Sequence, residues 1–389
     1  MGLAQLHKVR VRALAGVVPP ESVDIRSELD TIFGGDSRQL ERYIKIMRLG
    51  SRRIASPTTT NLMLCHAAAV RVLDYIQKES GTGESAAGTI DALILSSTSL
   101  DYKYPASACI LQGYLGLPED CTCLDMTGLG CSAFVHALLL GSSLINSGAA
   151  RRCLVVAGDT NSRHTNPRNK NTRILFGDGA AAALLERDEE AGPSYFLTGT
   201  RGKDYELLIA PAGGAALPLD HELLDLELRD KAGNVWHLWE DVMQGMEIFR
   251  FSTEIAAWGI ERLLKAAGVE REEVDYYALH QANGQIVKAV AAVAALPKGR
   301  YSAETFERYG NCGNAAVALD LCRELQQRPH QKVCLATFGV GLSWGLSLLD
   351  TSKTRSLGIS DYEATLPEPT RAELIEHYCS LFVGKVGQS

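Results

Sequence analysis

The sequence predicts an α/β protein of two duplicated halves, with covered sheets and a site between the halves. Three observations lead there. Short apolar runs, Ala92-Leu93-Ile94-Leu95-Ser96-Ser97 and Arg152-Cys153-Leu154-Val155-Val156-Ala157-Gly158-Asp159, have the length and continuity of strands buried on both faces. Amphipathic helical stretches alternate with them, as in residues 61–78. The order turn, helix, strand, glycine turn, strand then occurs twice, first from Gly130-Cys131 to Leu185 and again from Gly310-Asn311 to Leu349.

Taken in order, residues 1–18 read as one strand ended by Pro19-Pro20. Residues 21–48 carry helical spacing, and Arg48, Arg52 and Arg53 read as a solvated basic face. Glycine and serine mark 80–88 as a surface loop. After the strand at 92–97, a loop holding Pro105 leads to a helix closed by Gly116. The next apolar run leads through Gly128 and Gly130 to Cys131, and a helical pattern begins at Ser132. Residues 160–172 are a polar loop, and 191–240 are irregular, suited to a cap or crossover. A helix over 241–267 is stopped by Gly268. Tyr276-Tyr277-Ala278-Leu279 is a strand that delivers His280-Gln281-Ala282-Asn283. The division that follows is 1–195, 196–350 and an extension, 351–389. In the extension Leu374, Ile375, Tyr378, Leu381 and Phe382 fall at helical spacing and are expected to pack on their own subunit.

Composition narrows the function. The 389 residues are 46% apolar and 22% charged, as in a soluble globular protein. A net charge of −7 argues against nucleic acid as a partner. No apolar run reaches the roughly 18 residues of a membrane span, and a cytoplasmic chain with reduced cysteines is expected. Cys121-x-Cys123 is too tight for the usual zinc spacing, so no metal is expected.

Cys131 sits where a strand turns into a helix. Unpaired N–H groups and the positive helix end there are expected to stabilise a thiolate. On this local pattern alone, an inert buried thiol fits equally well. His280 alone reads more readily as a satisfied polar residue, and Asn311 as a helix cap. Together, at the mouths of duplicated halves, they fit acyl transfer to sulfur followed by carbon–carbon bond formation. Cysteine is the nucleophile, and His and Asn donate hydrogen bonds to an enolate formed by decarboxylation. The N–H of Cys131 and one from the 339–341 turn would form an oxyanion hole.

These motifs resemble the β-ketoacyl-acyl carrier protein synthase III family, of the thiolase-like fold. Gly-x-Gly-Cys-Ser-Ala-Phe, Phe-Gly-Asp-Gly-Ala, His-Gln-Ala-Asn, Tyr-Gly-Asn and Phe-Gly-x-Gly-x-x-Trp-Gly occur in the family's order from about Val9 to Leu349. The resemblance implies a five-layered αβαβα arrangement with Cys131, His280 and Asn311 as catalytic residues. It implies backbone oxyanion donors at Cys131, Val340 and Gly341, and substrate contacts at Arg48, Tyr104 and Asn283. Arg48 would touch a coenzyme A nucleotide, and Tyr104 would close the acyl pocket of a partner in a homodimer. No tightly bound cofactor is implied; the substrates would be acyl-coenzyme A or acyl carrier protein thioesters.

Three departures stand out. Gln285 replaces an arginine expected in the basic patch that docks the carrier, leaving Lys288. Val340 replaces a usual glycine, and the extension lies beyond the family's usual end. They suggest a specialised, secondary-metabolic member. Two competing readings are an acyltransferase that passes the Cys131 acyl group to oxygen or nitrogen without condensation, and a non-catalytic partner subunit of a heteromeric synthase.

Overall fold

In the computed structural model, which describes residues 2–81 and 85–383, two mixed sheets enclose a central helical layer. The strands that build them are β1 (Gly2–Leu6), β2 (Val9–Val18), β3 (Ala92–Ser97), β4 (Thr122–Thr127), β5 (Arg152–Asp159) and β6 (Gly179–Arg187). They continue with β7 (Ser194–Thr200), β8 (Tyr276–Leu279), β9 (Lys332–Gly339), β10 (Ser343–Asp350) and β11 (Arg355–Asp361). The first sheet runs β11-β2-β6-β5-β3-β4 and the second β1-β7-β10-β9-β8. The four-strand set β2-β6-β5-β3 repeats as β7-β10-β9-β8 with the same sequence of antiparallel, antiparallel and parallel pairings. The duplication legible in the motifs is therefore a duplication of sheet topology.

The helices Ala133–Asn146 and Ala316–Gln327 lie between the sheets and touch both. Ala133, Phe134, Val135, Ala137 and Leu138 are all buried, because this helix is covered nearly all round. Asn61–Ser80 covers the outer face of the first sheet, and Gly245–Ala267 with Gly284–Val293 covers the second. The result is the expected five layers. Strands β3, β5 and β9 are apolar and buried almost throughout because layers cover both faces.

Several local expectations change. Residues 1–18 form two strands rather than one, and β1 pairs with β7 in the second half's sheet. The boundaries at 195 and 350 are both crossed: β7 spans the first, and β11, from the extension, pairs with β2 in the first half's sheet. Hydrophobic pattern identifies a strand but not the sheet edge it completes. The irregular 191–240 segment begins with β7, where Gly199 lies under Trp344; a Cβ there would sit 2.3 Å from the indole. The helical stretch at 21–48 breaks at Gly34-Gly35 into Leu29–Phe33 and Ser37–Met47, after a short strand, Ser22–Asp24. The helix expected from 241 starts at Gly245. The 80–88 loop falls partly outside the described residues.

Nor is the arginine cluster a uniform solvated face. Arg52 is buried and ion-paired with Glu28, and Arg53 donates to the carbonyl of Pro19 and to Asp361. Arg48 alone keeps a largely exposed side chain, paired with Glu307.

The extension divides into an anchored part and an exposed helix. Arg71 donates to the carbonyls of Leu357 and Gly358, His66 bonds Thr365, and Thr59 donates to Glu368. Beyond these, Arg371–Val383 leaves Ile375, Tyr378 and Leu381 exposed, with Tyr378 meeting Tyr102. The expected self-packing is thus confined to a small contact; the side chain of Phe382 lies outside the described residues. A chain ending at residue 369 should keep its melting temperature within about 2 °C of the full chain. One ending at residue 350 loses β11 and should lose soluble, cooperative unfolding. Thermal denaturation of the two truncations checks both outcomes.

Candidate active site

The N-terminal end of each central helix carries one reactive motif. Gly128 and Gly130 take φ of 78° and 52°, which turns β4 into a 3-10 turn, Gly130–Ser132, that continues as Ala133–Asn146. Cys131 lies in that first turn. In the second half, Gly313–Ala315 forms the matching 3-10 turn before Ala316–Gln327, and Asn311 stands just before it. His280 follows β8, with its backbone N–H held by the Ala336 carbonyl at 2.9 Å.

These three side chains line one cavity of about 390 Å³, as expected from their places in the duplicated halves. The backbone stitches the halves together beside it. Asn311 N–H donates to the Leu175 carbonyl at 2.8 Å, and Gly177 N–H donates to the Asn311 carbonyl at 3.1 Å. The Asn311 side-chain oxygen accepts from Gly313 N–H at 3.1 Å, which leaves Nδ2 as the donor end. Apolar walls come from Met243, Met246, Phe249 and Phe338. The cavity is therefore mostly apolar with a few convergent polar groups, the usual make-up of a small-molecule site.

The glycine turn after β9 packs directly on the Cys131 turn. A Cβ on Gly339 would lie 2.2 Å from the Leu129 carbonyl oxygen and 3.0 Å from Cys131 N. Ser343 Oγ ties the two turns, lying within hydrogen-bond distance of both the Leu129 and Val340 carbonyls and 2.6 Å from Ser132 Oγ. Gly339 lines the cavity, whereas Val340 and Gly341 do not; the Val340 methyl rests on Gly130 instead. Sequence spacing located this turn but not which of its residues faces the space.

Of the other expected contacts, Asn283 lines the cavity and caps Gly284–Val293 by accepting from Ile286 N–H at 2.9 Å. Arg48 is at the rim: its stem lies against Gly284, while its neighbour Met47 lines the cavity. Tyr104 is 79% exposed on the loop after β3 and does not reach its own chain's cavity. Cys312, beside Asn311, is fully buried with its thiol against the Asp178 carbonyl, a structural role.

Electrostatics opposes one expectation. Burial pushes the Cys131 thiol well above its usual range, and Asp159 adds to the rise; the residue's own backbone N–H opposes it only in part. Burial and Asp159 therefore work against the thiolate that the helix end favours. Burial lowers His280 to about 4, so its imidazole is neutral at physiological pH, and its buried Nδ1 has no hydrogen-bond partner among the described residues. Asp159 was legible as the carboxylate that ends an apolar strand, but its reach to the site was not. Asp241, which burial raises, also opposes ionisation of Cys131, and its reach to the site was not legible either. Among the described residues, no cluster of His, Cys, Asp and Glu has the grouping of a metal site. No described helix is long and apolar enough to cross a membrane.

Comparisons with known proteins agree with this arrangement. Residues 124–202 match the family model for 3-oxoacyl-[acyl-carrier-protein] synthase III, and 264–351 match its C-terminal model. A β-ketoacyl-[acyl-carrier-protein] synthase III of Roseiflexus is 31% identical over 86% of this chain and 96% of its own. One from Syntrophomonas wolfei is 33% identical over 85% of this chain and 94% of its own. The crystal structure of a 3-oxoacyl-(acyl-carrier protein) synthase from Burkholderia xenovorans superposes with a TM-score of 0.82. It is 30% identical and covers 92% of this chain and 99% of its own.

Two outcomes test the electrostatics. At pH 7.5, iodoacetamide should label the exposed Cys109 and Cys379 before Cys131, as read by peptide mass mapping. Labelling of Cys131 first would mean that the thiolate is present at rest. For His280, the folded value of about 4 lies below the ordinary 6.5, so the unfolded chain binds more protons between them. Stability is then lost as pH falls through this window. Wild type should lose on the order of 3 kcal/mol more than His280→Gln across it. Urea unfolding at several pH values measures the difference.

Proposed function

We propose, because this chain belongs to the 3-oxoacyl-[acyl-carrier-protein] synthase III family, that its cavity performs a decarboxylative Claisen condensation between two thioesters. The observation that carries the reading is the convergence of Cys131, His280 and Asn311, from both halves, on one largely apolar space. The steps follow from what each group can do.

An acyl thioester enters and the Cys131 sulfur attacks its carbonyl. The new S–C bond replaces the bond to the donor, which leaves as a thiol with the cysteine's proton. Since the resting thiol is neutral, the proton leaves during the attack rather than before it. The Cys131 N–H and the backbone of the 339–341 turn stabilise the oxyanion, with Gly339 the part of that turn that reaches the cavity.

A malonyl-type thioester then loses CO2, and the electron pair of the broken bond moves onto the thioester as an enolate. Neutral His280 and the amide of Asn311 donate hydrogen bonds to the enolate oxygen. A carboxamide is no base, so Asn311 acts only as a donor. The enolate carbon attacks the acyl-cysteine, and Cys131 leaves as a thiolate that is reprotonated. The product is a 3-oxoacyl thioester. Exposed Tyr104 supports a homodimer in which it closes the partner's acyl pocket, and Arg48 at the rim supports contact with a coenzyme A nucleotide.

Incubation with acyl-coenzyme A should add the acyl mass to the wild-type chain and none to Cys131→Ala. Asn311→Ala should still acylate, yet release CO2 from malonyl-coenzyme A about 10²–10³-fold more slowly. Acylation with unchanged CO2 release in Asn311→Ala would overturn its assignment, and acylation of Cys131→Ala would overturn that of the nucleophile.

A further inference from the structure

We infer that the exposed basic face of the helix Ser37–Met47 is the docking surface for an acidic acyl carrier protein that presents the malonyl thioester. This rests on the condensing reading above and assigns its partner a place. Arg38, Arg42 and Lys45 are spaced i, i+4 and i+7, so they share one helix face. All three are exposed, and none makes an ion pair among the described residues. The acids that could neutralise them are engaged. Asp36 caps the helix by accepting from Gln39 N–H at 2.9 Å, and Glu41 pairs with Arg26.

The helix leads to the mouth of the active site. Met47, its last residue, lines the catalytic cavity, and the stem of Arg48 lies against Gly284 across the rim. On the other side, Gly284–Val293 offers Gln285 at the cavity and one exposed cation, Lys288, unpaired among the described residues. The positive charge therefore lies mainly on the Ser37–Met47 side, on a chain whose net charge is −7. From Arg38 to Lys45 the helix rises about 10 Å, with successive charges roughly a turn apart. That spacing matches carboxylates along an acidic helix rather than one compact polyphosphate. Ile46, 44% exposed one turn beyond Arg42, adds an apolar contact at the edge of the face. Charge at such a rim acts mainly on encounter rate and salt dependence.

The test compares wild type with the triple variant Arg38→Glu/Arg42→Glu/Lys45→Glu, using a holo acyl carrier protein of the bacterial fatty-acid type. Surface plasmon resonance should show carrier binding weakened about tenfold or more, and wild-type binding should fall steeply with added salt. The KM for the malonyl-loaded carrier should rise by a similar factor, while kcat and the KM for malonyl-coenzyme A stay within about twofold. Unchanged carrier binding by the variant overturns the inference. So does a parallel rise in the malonyl-coenzyme A KM, which would make the face a nucleotide site. Binding requires no turnover, so the two readings fail separately. Charge-dependent binding without condensation would sink the reaction and keep the surface. Condensation with malonyl-coenzyme A but no carrier binding would sink the surface alone.

Discussion

Asp159 ends a strand of the first half and accepts hydrogen bonds from both halves at once. One carboxylate oxygen takes Ser97 Oγ, the N–H and hydroxyl of Thr98, and Ser99 N–H; the other takes the backbone and side-chain N–H groups of Asn314. It is fully buried, and its burial is tolerable because both carboxylate oxygens are hydrogen-bonded. Asn314 lies in the first turn of the second half's central helix, so the positive helix end also faces the carboxylate. Gly313 makes the approach possible: with φ of 54°, a Cβ there would fall 2.1 Å from the oxygen. Asn311 stands two residues earlier. The position of Asn311 is thereby fixed by an acid from the opposite half.

That carboxylate also sets the resting state of the nucleophile. It raises Cys131, working with burial against the helix end that would otherwise favour the thiolate. His280 is held neutral by the same dry surroundings. The site at rest thus contains a neutral thiol, a neutral imidazole and an amide. In the proposed condensation, charge arises only when substrate supplies it, in an oxyanion or an enolate, where fixed donors in a low dielectric act most strongly. Ser343 serves the first of these by holding the 339–341 turn against the Cys131 turn. The Phe176–Asn311 bridge serves the second by joining the two halves at the donor.

Much of this was legible in particular residues. The glycines before Cys131 announced a tight turn into a helix, and their positive φ values are what that turn requires. The recurrence of the turn-helix-strand order announced the repeated sheet. Arg52 was not legible: as one of three nearby arginines it resembled a surface charge, and only Glu28, brought across from 24 residues away, makes it a buried ion pair. The terminal strands were not legible either, since β1 and β11 each complete the other half's sheet.

The sequence by itself determined most element types, the duplication and the three residues, Cys131, His280 and Asn311, that line one cavity. Each of these is written in local spacing: apolar runs, helical periods, and glycines where a backbone must turn. The tertiary structure alone decided which strand completes which sheet, which residue of the 339–341 turn reaches the cavity, and whether the thiol rests charged. Those outcomes depend on long-range burial and on acids brought close in space, and the free energy of a charge is set by surroundings that no local pattern encodes.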